Sequence, residues 1–142
     1  GIQRLAHSCP SRLAGIGRIE RQNWGNGAPV ADEVGISPSI SPKFPVVSVP
    51  YGSLMPRQLD GMLAAGRHIS CDANSHGFMR EIPQCWLTGH AAGVGAAVAA
   101  NRGVQPREVD VAEVRKILRE QGAHLSDDAA LPTTRAEAVP AE

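Results

Sequence analysis

The sequence predicts an α/β fold of short strands and two helices, and three observations lead there. The proline-bounded run Pro45-Val46-Val47-Ser48-Val49-Pro50 has the length and β-branched content of a strand. After Pro83 no proline interrupts residues 84–101, and nine of the twelve residues 89–100 are Gly or Ala, which reads as a helix that another backbone or a ligand approaches closely. Asp110 and Glu113 form a capping-box pair ahead of Val114, Ile117 and Leu118, with Gly122 as the stop, so a second, amphipathic helix follows.

In chain order, residues 1–45 are loop-rich, because glycines at 15, 17, 25, 27 and 35 and prolines at 10, 29 and 38 break every helical period. Residues 46–125 carry the regular elements. The first strand is followed by a second, Gly61-Met62-Leu63-Ala64-Ala65-Gly66, whose unbroken apolar run predicts burial on both faces, as in a parallel or central sheet position. Residues 126–142 are rich in Ala, Pro, Thr and acids, with little to bury, and read as a disordered tail.

Charge excludes some functions. Fourteen Lys and Arg balance fourteen Asp and Glu over 142 residues, which is no footprint for a phosphate backbone or an anionic membrane. The balance is an average: residues 126–142 hold four acids against Arg135, leaving 13 bases to 10 acids before them. The most apolar stretch, residues 82–100, is interrupted by Gln84, Thr88 and His90 and dominated by Ala and Gly, so a buried helix is expected rather than a membrane span. Cys9, Cys71 and Cys85 are odd in number and form no CxxC pair, which points to a reducing, cytoplasmic compartment.

Three patterns bear on chemistry. Gly15-Ile16-Gly17 and Gly93-Val94-Gly95 are incomplete dinucleotide fingerprints, each lacking the third glycine and the flanking strand and helix. His68, Cys71, His76, Cys85 and His90 are of metal-ligating types, but their spacing fits no zinc motif, and no metal is expected. The strand end at Ala65-Gly66-Arg67, with Arg80 and the helix start near Thr88, can bring main chain, cations and a helix dipole to an anionic ligand. Gly89 and Gly93, four apart, serve equally well to pack a helix on a sheet.

The ordered motifs Val49-Pro50-Tyr51-Gly52-Ser53-Leu54-Met55-Pro56, Leu63-Ala64-Ala65-Gly66-Arg67-His68-Ile69-Ser70 and Arg80-Glu81-Ile82-Pro83-Gln84-Cys85-Trp86-Leu87-Thr88-Gly89-His90-Ala91-Ala92-Gly93 resemble the C-terminal segment of bacterial FAD-dependent oxidoreductases, in the two-dinucleotide-binding-domain flavoprotein group. The resemblance covers about residues 30–122. It implies the C-terminal return segment of an FAD/NAD(P)-binding fold, with the N-terminal Rossmann unit absent. FAD is then the cofactor, that Rossmann portion and a small-molecule substrate are the partners, and the activity is hydride transfer to flavin N5.

By the same resemblance, Ala65, Gly66 and Arg67 lie by the pyrophosphate and ribityl chain, with His68 and Ser70 beside them. Thr88, Gly89, Ala91, Ala92 and Gly93 face the pyrimidine end of the flavin, and Arg80 supplies a cation near flavin or substrate. Arg67 stands where many relatives in the wider group carry Asp. Arg80 also has an adjacent partner in Glu81 for an ordinary salt bridge. Two other functional classes share these residues: a non-catalytic scaffold that keeps the motifs as packing, and a small metal module using the Cys/His spread.

Overall fold

The computed structural model describes residues 12–24, 30–38 and 46–128. Its elements are β1 (Glu33–Pro38), β2 (Val46–Pro50), α1 (Ala73–Met79), α2 (Ile82–Arg102) and α3 (Val111–Glu120), joined by short 3-10 turns at Tyr51–Leu54, Gly66–His68 and Pro106–Glu108. The first strand and both helices expected from sequence are present.

β1 and β2 form an antiparallel pair in which Ile36 faces Ser48 and Ser37 faces Val47, with a bulge between Glu33 and Ile36. α2 lies across this ribbon and α3 packs beside both. The segment at residues 12–24 adds isolated bridges, Gly15 to Pro56, Ile19 to Cys71 and Trp24 to Val47. The core between these layers is Ile19, Val34, Val47, Val49, Tyr51, Leu54, Ile69, Val98, Val114 and Leu118, all at most 4% exposed.

Several sequence expectations change. Residues 61–65 are not a strand: Gly61 and Gly66 both take positive φ, 69° and 75°, and the segment contributes one main-chain bond from Ala64 N–H to the Leu54 carbonyl, 2.8 Å. An apolar run without a neighbouring strand stays extended but unpaired. The parallel or central sheet expected around it is, among the described residues, a two-stranded antiparallel ribbon. β1 was hidden inside the segment expected to be loop, because Gly35 interrupts its pattern; a Cβ there would lie 2.6 Å from Leu87 Cδ2 of α2, so the glycine admits the helix rather than breaking the strand. α1 was also concealed, being seven residues with a glycine inside. Asp72 caps it, its Oδ1 accepting from Ser75 N at 2.6 Å.

The Asp110 cap forms with a different partner set from the capping box expected. Asp110 Oδ1 accepts from Ala112 N at 2.9 Å, while Glu113 turns away to Arg102 Nη2 at 2.8 Å and so ties α3 to the end of α2. Ser126, Asp127 and Asp128, assigned by composition to a disordered tail, are held in place. Asp127 pairs with Arg115 at 2.9 Å and Asp128 with Arg119 at 2.6 Å. Ser126 N–H donates to Glu33 Oε1 at 2.8 Å. Glu33, fully buried, also takes the Ser48 hydroxyl on its other oxygen and offers its carbonyl to Arg115 Nη1 at 2.6 Å. One carboxylate thereby links β1, β2 and the chain after α3, which sequence distance concealed. The rest of the tail, residues 129–142, lies outside the described residues.

α2 approaches the turn after β2 through Gly95, where a Cβ would stand 2.5 Å from Tyr51 Oη and 2.8 Å from its ring. Tyr51 is 1% exposed and burial raises its phenol pKa, so the ring has no solvent-side route of escape. Gly95→Ala is expected to lower unfolding stability by about 1–3 kcal/mol through overpacking, despite alanine's better helix propensity. Urea denaturation of the variant checks this; a stability equal to or above that of the parent would show that the Tyr51 contact is loose.

Candidate functional site

The turn at Gly66–His68 is clasped to α2 by one side chain. Gly66 N–H donates to Thr88 Oγ1 at 2.9 Å, and that hydroxyl donates in turn to the Gln84 carbonyl at 2.8 Å. Thr88 has no exposed surface, so its hydroxyl is committed to this bridge. Gly66 needs φ of +75°, a region costly for any residue with a Cβ. From the other side, the buried ring of His76 on α1 is hydrogen-bonded to the Arg67 backbone. The turn therefore holds its shape between α1 and α2 while Arg67 and His68 remain exposed.

The residues singled out in the sequence divide by helical phase. Thr88 and Ala91 point into the core with 0% exposure, Ala92 is half-buried, and Gly89 and Gly93 face outward. A Cβ at Gly89 or Gly93 would meet nothing within 4 Å, so these two glycines do not pack α2 on the sheet; Gly35 and Gly95 do that. Ala65 is extended and half-buried ahead of the turn. Ser70 is 4% exposed and lies past the turn, its N–H bonded to the Ser53 carbonyl at 2.9 Å. The structure thus joins Gly66, Arg67 and Thr88 in one unit with Gly89 a helical step away, and sets Ser70 on a neighbouring segment.

Gly89 and Gly93 belong to a longer surface that sequence reading missed. Ile82, Trp86, Gly89, Gly93, Ala96, Ala97 and Ala100 recur at helical spacing on the outward side of α2, all exposed. Ile82 is 62% and Trp86 74% exposed. No charged residue interrupts this side over five turns. Solvated helix faces are ordinarily polar, and a helix apolar on both sides is one that is covered on both. The signal was present in the sequence as the absence of any charge between residues 82 and 101, but only the packing shows which side is left open.

Charge gathers at the start of α2. Arg80 precedes it, exposed, with weak links to the Gly77 carbonyl at 3.4 Å and to Glu81 at 3.8 Å. The salt bridge to Glu81 offered by sequence is present as a solvent-exposed contact at 3.8 Å. Arg67, Arg80 and the free N–H groups of the first turn of α2 make this end favourable to anions. Cys85 is half-buried beneath Gly66, and Cys71 is buried, with its thiol pKa raised by that burial. The Cys/His spread does not converge: among the described residues no three His, Cys, Asp or Glu side chains gather as metal ligands. Nor is any described helix long and apolar enough to cross a membrane.

A cleft of about 390 Å³ opens between β1, α2 and α3 on Val34, Ile36, Val46, Leu87 and Leu118. None of the residues singled out in the sequence as cofactor-binding lines it. The chemistry-bearing groups are instead on the open turn and helix face.

A glycine turn braced on a long helix thus stands beside an uncharged helix face and a pair of exposed arginines. Residues 22–118 match the family described as FAD dependent oxidoreductase. That is about two thirds of the chain, which therefore belongs to this family, whose cofactor is FAD. No curated protein and no solved structure matches it.

His76 gives the turn a pH dependence. Burial lowers its pKa below the ordinary value, outweighing the hydrogen bond to Arg67, and Arg12, Arg80 and Arg67 lower it further. The folded state then binds the proton less well than the unfolded chain, so stability is full above about pH 6.5 and declines as pH falls through and below it. The urea midpoint is expected to drop between pH 7.5 and pH 5.5, and His76→Gln to flatten that slope. An unaltered slope in the variant would assign the pH dependence to other groups.

Proposed function

We propose that this chain is the segment of an FAD-dependent oxidoreductase that closes over the ribityl and isoalloxazine side of the cofactor, the adenosine half being held by a Rossmann portion outside these residues. The observation that carries this reading is the outward side of α2, uncharged from Ile82 to Ala100 and carrying Gly89 and Gly93, at which, among the described residues, a Cβ would meet no atom of another segment within 4 Å. A flat ring system and a second domain are what such a face accommodates.

The residues present fit the group. Gly66, Arg67 and Ala65 would hold the pyrophosphate and ribityl chain, with His68 and Ser70 nearby. Gly89 and Gly93 would lie under the ring, while Thr88, Ala91 and Ala92 would act from behind by fixing the helix. Bound FAD supplies a two-electron acceptor for oxidation of a small-molecule substrate. The chain's own contribution is positional and electrostatic: the Thr88 clasp presets the turn, the start of α2 and Arg80 favour negative charge, and Trp86 and Ile82 exclude water once covered.

The test separates cofactor contact from packing. Because nothing fills the space beside them, Gly89→Ala and Gly93→Ala are expected to stabilise the isolated chain by about 0.5–1 kcal/mol each through helix propensity. In the enzyme assembled with its Rossmann portion, the same changes are expected to lower FAD occupancy, read from visible absorbance, about tenfold. Full occupancy in both variants would sink the assignment. The 142-residue chain alone is expected to take up FAD poorly, and stoichiometric flavin in it would show that no second portion is required.

A further inference from the structure

The exposed segment before β1 builds a second cationic feature. A cleft of about 330 Å³ is lined by Arg12, Arg18 and Arg57, with Ser70 and Cys71 on its inner wall and the backbone of residues 13–16 along one side. The three arginines come from two segments brought together by main-chain pairing: Leu13 N–H bonds to the His68 carbonyl at 2.7 Å, Arg57 N–H to the Ala14 carbonyl at 2.9 Å and Ile19 N–H to the Ser70 carbonyl at 2.9 Å. The bridges at Gly15 to Pro56 and Ile19 to Cys71 fix the same arrangement. Among the described residues no carboxylate lines the cleft.

The charges there are only partly neutralised, the Asp72 carboxylate next to Cys71 lying near enough to interact with Arg18. Arg57 makes no side-chain ion pair or hydrogen bond among the described residues. Arg18 reaches Glu20 only at 3.8 Å, both half-exposed, and Arg12 hydrogen-bonds to Cys71. That partner adds no negative charge, because burial, helped by the nearby Asp72 carboxylate, raises the thiol pKa against the pull of Arg12 and Arg18. Three like charges facing one concavity repel one another, and an anion of two or more charges relieves this where a monoanion does not. The planar forks of arginine suit carboxylate and phosphate oxygens alike.

We infer that this cleft binds a small organic polyanion bearing two or more carboxylate or phosphate groups, separate from the cofactor seat on α2. Of the residues proposed for FAD, only Ser70 lines it. The inference does not depend on the flavin reading, since binding of citrate and pyrophosphate is read without flavin and FAD enters only as a competitor.

The experiment is calorimetric titration of the 142-residue chain at low ionic strength with citrate and with inorganic pyrophosphate, repeated on Arg57→Gln and Arg12→Gln. Both side chains are exposed, so both variants are expected to keep the parent's circular dichroism and melting curve. Binding of at least one probe is expected, weakened about tenfold by either change and weakened further by added salt. Absence of binding by both probes, or affinities indifferent to both substitutions, would overturn the inference. A third arm adds FAD to the pyrophosphate-loaded chain. Displacement by FAD, abolished in Arg57→Gln, would reassign the cleft to the cofactor's own pyrophosphate and equally overturn a separate site. Failure of the flavin tests above leaves these outcomes unchanged.

Discussion

Tyr51 lies against Gly95 at a distance that admits no Cβ, and much of the remaining architecture follows from how closely α2 is thereby drawn onto the β2 end of the ribbon. With the helix at that depth, Leu87 occupies the space a side chain at Gly35 would need, and Thr88 comes within reach of the Gly66 amide. Val94, Val98 and Ala99 then complete the core against Val49, Leu54 and Val114. The glycine-rich composition of α2 lowers its intrinsic helicity, but the loss is offset by contacts that a bulkier helix could not make. The inner glycine is thus a structural requirement, and its effect is opposite to that of its outward neighbours.

Those neighbours lie on the outer surface of α2. On the inner side of α2 small residues bring backbone to backbone; on the outer side, at Gly89 and Gly93, they face open space. A helix stabilised from one side alone has no need of glycine on the other. Trp86 and Ile82 are left exposed on the same side. The turn at Gly66 is presented beside it by a hydrogen-bonded hydroxyl and a buried imidazole, so its conformation is set before any ligand arrives. Preorganisation of this kind limits the ordering cost of binding.

The polar chemistry is divided between buried links that shape the fold and exposed cations that do not. Glu33 is wholly buried and joins three segments, while Arg115 and Arg119 fasten Asp127 and Asp128 behind α3. Arg67, Arg80 and Arg57 are exposed, with long or no contacts to acids among the described residues. The small surplus of bases before residue 126 is therefore concentrated at the turn, at the start of α2 and in the cleft beside residues 12–18. Its distribution carries more information than its size.

How much was legible from sequence depended on range. β2, α2 and α3 were set by local signals, Pro45 and Pro50, Pro83 and Gly103, Asp110 and Gly122, because capping and proline effects act within a few residues. The family was legible as well, since its motifs run in order along the chain. Pairing was not: the apolar run at 61–65 has strand composition but, among the described residues, no strand beside it, and β1 pairs with β2 and is met by Leu87 of α2. Sequence marked Thr88, Gly89, Ala91 and Gly93 as one motif. Tertiary structure alone decided that Thr88 and Ala91 serve the core while Gly89 and Gly93 face outward, because the phase of a helix with two apolar sides is fixed by what it packs against.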